Sequence, residues 1–443
     1  MLASFVAKIT LGAALLGGVA GVVGGLAVLR KRSLMGDVLS HAALPGICIA
    51  YLVFNSRSLP LLSLGALSTG LLAAAAIALV TRWTRTREDA AMALTLSTFF
   101  GAGVVLLTVV QQQARGNQAG LASYLFGEIA ALRSQDVVLI GVVAAVLLVV
   151  VTLLHKELKT LCFDDEFARS QGWPTLAMDI GMMAAVAVVT VVGLPVCGVV
   201  LMAAMLIMPC VAARYWSNRL GVVLSASGVI GAASAACGVL AAAPGGLAGT
   251  PLGRFTQGMP PGPLIVVAGG LVFAASALLA PEQGLLGRAR RTLGMRVHMA
   301  HDHLLRLMFE AGEPALPARE PIALAGVLGR MSATPVTKYL ARLRAIWQGQ
   351  IERTGPAEYA LTSKGLAAAA RVTRAHRLWE QFLVEHADIA ADHVHRSADD
   401  IEHVLPAHLV DELERELHYA GRLPLAASGV AVPQSPHVIP PPR

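Results

Sequence analysis

Charge is what this sequence has least of. Asp, Glu, Lys and Arg make up 14% of its 443 residues, against roughly 25% in ordinary soluble domains, and this excludes a wholly soluble protein. Cysteine is also sparse. The five present, Cys48, Cys162, Cys197, Cys210 and Cys237, lie in or beside apolar runs. None forms a CxxC pair and none falls in the polar C-terminal part, so a thiolate metal knuckle is absent and the reading is small apolar residues. No GxxxxGK[ST] motif occurs, so the chain has no nucleotide-binding P-loop. No small-residue cleavage site follows the first apolar run, which reads as a retained helix. Carboxylates inside the apolar runs are few. Beyond Asp37 the main one is Asp179, near the end of a run, and this scarcity disfavours a proton-coupled secondary transporter.

What is abundant is apolar: 55% hydrophobic residues with a mean hydropathy of +0.64. A bilayer crossing needs about 20 apolar residues. Nine candidate spans appear, at about 5–29, 37–54, 59–81, 90–110, 136–154, 176–193, 195–213, 220–243 and 262–280. At Gly193–Pro195 one kinked hairpin and two short spans both fit. Every odd-numbered span is followed by Lys or Arg, as at Arg30, Lys31 and Arg32, while the even-numbered exits are poor in both. The positive-inside rule then places the N-terminus outside and the C-terminal part in the cytoplasm. The net charge of +7 reads as topology rather than nucleic-acid affinity. Small residues in LGAALLGGVAGVVGG (11–25) predict close helix–helix packing.

Composition changes near RARR at 288–291. Residues 1–287 hold two of the 13 histidines; the remainder hold 11, with 19 basic and 17 acidic residues. The expected organisation is an all-α polytopic membrane domain of about eight or nine transmembrane helices (1–287), a winged helix-turn-helix domain (297–365), a helical domain (366–424) and a Pro-rich tail (425–443). In the second part, 321–330 and 332–347 read as two short helices. Thr334, Thr337, Lys338, Arg342 and Arg344 on the second are DNA-contact candidates. GQIERTGPAEYALTSKG (349–365) predicts a hairpin wing around Gly355-Pro356. The balance of 19 against 17 argues for weak non-specific DNA affinity.

Three features carry chemistry. In GDVLSHAALPG (36–46), Asp37, Ser40 and His41 share one helical face by their i, i+3, i+4 spacing. Ionisable groups at bilayer depth cost about 2.5–3.5 kcal/mol each, and oxygen with imidazole suits zinc, manganese and iron(II). The loop HKELKTLCFDDEFARSQGWP (155–174) places Asp164 and Asp165 before a short helix ending near Gly172, which reads as a solvated loop or as a docking helix for a cytoplasmic partner. In the tail, His395, Asp399, Glu402 and His403 share one helical face, and His376 with Glu380 form another i, i+4 pair.

GDVLSHAALPG resembles the signature of the metal-ion permeases of ATP-binding-cassette transporters, which import zinc, manganese and iron(II). REDAAMALTLSTFFGAGVVL (87–106), YLFGEI (124–129), FDDEFARSQG (163–172), VCGVVLMAAMLIMPCVAAR (196–214) and PPGPLIVV (260–267) match that family in order, so the resemblance covers about 1–285. It implies an importer of two permease subunits, two ATPases and an extracytoplasmic metal-binding protein, in a bacterial inner membrane. The second permease subunit would be this chain or a paralogue. Asp37 and His41, with Ser40 beside them, would then line the metal pathway near a dimer axis. Phe163, Asp164, Asp165, Glu166, Ala168, Arg169 and Gly172 would form the element that the ATPase pushes. Because this chain lacks a P-loop, ATP hydrolysis would belong to a separate subunit.

LTSKGLAAAARVTRAHRLWEQFLVE (361–385), VHRSADDIEHVL (394–405) and SPHVIP (435–440) resemble the iron-dependent repressors, which are metal-activated DNA-binding regulators. The resemblance implies a main metal site at Asp399, Glu402 and His403, completed from the first helix of the unit by Met299 or Asp302. It implies an ancillary site at His376, Glu380 and His395, and a dimerisation role for 366–424. The metal (Mn2+, Fe2+ or Zn2+) would be both cargo and regulatory ligand. Asp399 stands where that family has Glu or Cys, and SPHVIP lacks its glycine. The two resemblances together imply a metal permease fused to a cytoplasmic metal sensor that restrains uptake when loaded. The alternative is a membrane-anchored, metal-dependent transcriptional regulator.

Overall fold

The computed structural model describes residues 2–55, 59–112, 133–243, 256, 259–315 and 320–386, with 409, 412, 415 and 432. It separates into two compact units, Met1–Arg288 and Ala289–Arg443.

The first unit is a helical bundle. Its long helices are α1 (Leu2–Leu29), α2 (Met35–Phe54), α3 (Leu59–Trp83), α4 (Glu88–Gln112) and α5 (Ser134–Leu153). Two short helices follow, α6 (His155–Phe163) and α7 (Asp165–Ser170). Then come α8 (Thr175–Cys197), α9 (Val199–Arg214), α10 (Leu220–Ala242) and α11 (Pro261–Leu279). Among the described residues eight of these, all but α6, α7 and α9, are long and apolar enough to cross a membrane. The expected ninth span is the 16-residue α9, which at 1.5 Å per residue reaches about 24 Å, short of a ~30 Å hydrocarbon layer. The break also lies elsewhere than expected. Pro195 remains inside α8, and the chain turns at Gly198, whose φ of +77° disfavours any side chain.

Small residues set how the bundle closes. α1 lies against α10, α9 and α5, and α2 against α3 and α4. A Cβ on Gly17 would stand 2.5 Å from the Gly231 carbonyl oxygen of α10, so the backbones meet there only because neither residue has one. Gly46 of α2 and Gly65 of α3 meet in the same way. The predicted packing role of the glycine-rich run is what the structure shows. Around these contacts lies one apolar core, including Leu16, Val23, Leu39, Met92, Met183 and Leu206. By contrast α5 exposes Val138, Val142, Val146 and Val149, as a lipid-facing helix does. Three cysteines are buried as expected, but Cys162 is half-buried and Cys237 is exposed on α10.

α12 (Leu285–Gly312) runs from the end of the first unit into the second. The second unit then contains a 3-10 turn (Glu313–Ala315), β1 (Ile322–Ala323), α13 (Leu324–Arg330), α14 (Pro335–Trp347), β2 (Ile351–Arg353), β3 (Glu358–Leu361) and α15 (Ser363–His386). The strands form an antiparallel sheet of order β1-β3-β2, with Ile351 paired to Leu361 and Ile322 to Tyr359. α13 and α14 are the two short helices expected from sequence, and β2–β3 is the expected wing around Gly355-Pro356. Leu304, Met308, Phe309, Val327, Ala341, Ile351, Tyr359 and Ala369 form the core. The helix expected through 394–406 and the Pro-rich end lie outside the described residues.

Candidate metal pathway, coupling loop and sensor residues

α2 begins at Met35, so Asp37 stands in its first turn, where the positive end of the helix dipole favours a carboxylate. One turn on, His41 Nε2 lies 3.5 Å from Asp37 Oδ1. Most of α2 is buried, yet the side chains of Asp37 and His41 remain 38% and 29% exposed. The His41 ring meets Phe100 of α4 edge-on at 4.9 Å, which fixes its plane. Ser40 behaves differently. It is buried, and its hydroxyl donates to the Gly36 carbonyl at 2.7 Å. The shared face therefore presents an imidazole and a carboxylate, while the hydroxyl is satisfied within the helix.

The turn before α2 holds a group of ion pairs that the sequence reading treated only as topology. Arg32, nearly fully buried, donates to both Glu88 oxygens at 3.1 and 2.8 Å and pairs with Asp179 Oδ2 at 2.8 Å. Arg30 donates to Asp179 Oδ1 at 2.7 Å and to the Leu161 carbonyl at 2.8 Å, with Asp165 3.9 Å away. Asp179 of α8 is thus held between two guanidinium groups. Its nearness to a span end was the only signal in the sequence. Through these bonds the α1–α2 turn meets α4, α8 and the α6–α7 loop.

That loop is built as its sequence indicates. Asp164 caps α7, accepting from the Phe167 amide at 2.8 Å. Asp165 pairs with Arg169 at 2.5 Å, and Gly172, with φ +77°, ends the element. Ala168 is buried against the bundle, whereas Asp164, Glu166, Arg169, Phe163 and Phe167 are exposed. Two exposed phenylalanines four residues apart make an apolar edge on a charged loop. Burial pushes the neighbouring Cys162 thiol up to about 11, so it stays protonated.

In the second unit, His376 and Glu380 are buried and bonded to each other, Nε2 to Oε1, at 2.9 Å. His376 Nδ1 faces the buried guanidinium of Arg306. Both ring nitrogens are therefore engaged within the protein. His395, Asp399, Glu402 and His403 lie outside the described residues. On α12 the structure brings Asp302 together with His298 and His301, their ligand atoms all within 4.8 Å. Met299, one position on from His298, is half-buried. On α14, Thr334 caps the helix and Thr337 is buried. Lys338 donates to the Leu328 carbonyl at 2.6 Å, and Arg342 lies 5.3 Å over the Tyr339 ring. Arg344 is half-buried. The most exposed large apolar side chains of α14 are Val336, Tyr339 and Trp347.

Residues 3–280 match the ABC 3 transport family, and 362–425 match the iron dependent repressor, metal binding and dimerisation domain. The chain is 36% identical over 418 residues to the manganese transport system membrane protein MntC of Bacillus subtilis, covering 93% of this chain and 92% of that protein. It is 41% identical over 216 residues to the zinc transport system membrane protein TroC of Treponema pallidum, covering 49% of this chain and 72% of the relative. Among solved structures it is similar to PsaBC from Streptococcus pneumoniae in complex with Fab. There the TM-score is 0.54 at 28% identity, covering 65% of this chain and all of that one.

Proposed function

The chain belongs to the ABC 3 transport family and is a multi-pass permease for divalent transition-metal ions with a repressor-type metal-binding domain at its C-terminus, and from that premise we propose that Asp37 and His41 are the ligands its cargo meets in the pathway. The observation carrying this reading is the partly open carboxylate–imidazole pair on the buried N-terminal half of a membrane helix. An ion crossing a dry layer must exchange water for protein ligands, and a transport site must also release. One carboxylate and one imidazole from each of two permease subunits would give a four-ligand N/O set. That set suits manganese, zinc or iron(II) without the tight hold of thiolates.

ATP hydrolysis is assigned to a separate ATPase subunit, docking on 163–172. Phe163 and Phe167 supply an apolar anchor, with Asp164, Glu166 and Arg169 as its polar rim. Movement there reaches α2 through Asp165, Arg30 and Arg32. The remaining partners are an extracytoplasmic metal-binding protein and a second permease subunit. The second unit faces the cytoplasm, as the basic turns and the position of the repressor-type domain suggest. Its task is to sense metal and restrain transport. Val336, Tyr339 and Trp347 on the outer face of α14 favour a protein-facing surface over phosphate contact, since sequence-independent DNA binding needs exposed cations. This weighs against the anchored-regulator alternative.

The test is the metal content of cells lacking their own manganese, zinc and iron importers when the chain, its ATPase and its extracytoplasmic metal-binding protein are supplied together. Accumulation of at least one of the three metals above the empty-vector level is expected. No accumulation of any metal, with both proteins in the membrane, contradicts the reading.

A further inference from the structure

The geometry of α12 points to a metal site contained within a single helix: we propose that His298, His301 and Asp302 hold one divalent transition-metal ion. Among the described residues they form a His/Asp cluster whose ligand atoms all lie within 4.8 Å of one another. The spacing i, i+3, i+4 places them on one helical face. His301 Nδ1 stands 3.0 Å from Asp302 Oδ1, and His298 Nε2 stands 3.7 Å from Asp302 Oδ2. Around an ion with bonds of about 2.0–2.2 Å, neighbouring ligand atoms are separated by roughly 3–3.5 Å. Small side-chain rotations thus suffice to seat one.

The supporting contact is on the far side of the His301 ring. Nε2 lies 2.6 Å from Gln350 Oε1. Donation of that N–H to the amide oxygen fixes the ring with Nδ1 on the side of Asp302 and His298, where an ion would take it as a ligand, the arrangement that orients ligating histidines. Gln350 is itself fixed at the turn before β2. Its amide donates to the Ala345 carbonyl and its carbonyl accepts from Thr362. His301 and Gln350 are buried, so this half of the site is rigid. The His298 side chain is 53% exposed, so the other half opens to solvent for exchange, with water filling the remaining positions. Two imidazoles and one carboxylate suit manganese, iron(II), cobalt or zinc, and are poor for calcium or magnesium. The site is distinct from His376 and Glu380, which are tied to Arg306 and to each other, and it uses no residue of 395–403; of the residues that the repressor resemblance implies as ligands it takes Asp302 alone, and leaves Met299 to complete the main site. It does not depend on Asp37 and His41 being the pathway ligands.

Co2+ serves as the probe, titrated into the full-length chain purified in detergent and read by its d–d absorption and by equilibrium dialysis. The parent is the D37A/H41A/H395A/D399A/E402A/H403A variant, which removes the other proposed ligands except Glu380 and His376, whose imidazole is engaged at both nitrogens by Arg306 and Glu380. It is expected to bind one Co2+ per chain. His298→Ala, at an exposed position that leaves the fold intact, should weaken binding at least about tenfold. Gln350→Ala should weaken it about 10–100-fold, as loss of an orienting partner does. Asp302→Asn should remove it. Thermal melting of each variant verifies folding, and His298→Ala decides the matter if a buried variant fails to fold. No Co2+ retained by the folded parent, or unchanged affinity in His298→Ala, overturns the proposal.

Discussion

At the scale of residues, ionisable groups do different work according to what faces them. Asp179 sits between Arg30 and Arg32, and removing one partner of a buried pair costs about 3–5 kcal/mol. Asp179→Asn should therefore lower thermal stability sharply in detergent melting curves. The Asp165–Arg169 pair, whose arginine is exposed, is an i, i+4 helix pair worth only about 0.3–0.5 kcal/mol, so Arg169→Ala should leave the melting curve in place. Asp37, His41 and their common face were legible from spacing alone. That Ser40 turns its hydroxyl back onto Gly36 was not, because spacing gives the face of a helix and not the hydrogen bond a hydroxyl finds. The same holds for Arg30 and Arg32. Sequence shows a basic turn, while their acidic partners come from 56 to 149 positions away.

At the scale of elements, the glycine-rich run on α1 announced close packing, and Gly17 does abut α10. Gly17→Leu should destabilise the bundle by about 1–3 kcal/mol or more, since the obstacle is backbone. Gly101, with nothing near its Cβ position, should accept Ala with little change. Melting curves of both variants verify the contrast. The α8–α9 break was misplaced because Pro195 was weighed as the interruption. A proline near a helix end loses few hydrogen bonds, whereas Gly198 alone can take the left-handed turn. For the α6–α7 loop, replacing Phe163 and Phe167 with Ser should lower ATPase co-purification several-fold while the chain keeps its melting temperature. Retained co-purification would remove the anchor role.

At the scale of the whole molecule, one chain joins a metal-ion permease to a repressor-type metal-binding domain. The two-part organisation was legible because the long apolar runs end before residue 288, while 11 of the 13 histidines and the denser charge come after it. The winged unit was legible because its turn residues and short amphipathic helices are local signals. What sequence could not give was the triad on α12, because three histidines within six positions leave open which of them meet. If the second unit restrains transport, deleting 292–443 should leave uptake into vesicles high as internal metal rises, whereas the full chain should slow. Equal uptake at every internal concentration would separate the second unit from transport control.

The most direct test of the pathway is ATP-driven uptake of radioactive Mn2+, Zn2+ or Fe2+ into vesicles holding the permease and its ATPase and supplied with the extracytoplasmic metal-binding protein, comparing the natural chain with Asp37→Ala/His41→Ala. With ATP hydrolysis recorded alongside to show that the complex is assembled, the double variant is predicted to hydrolyse ATP while its uptake falls to the protein-free background. Uptake at the natural rate in an assembled double variant would contradict the account.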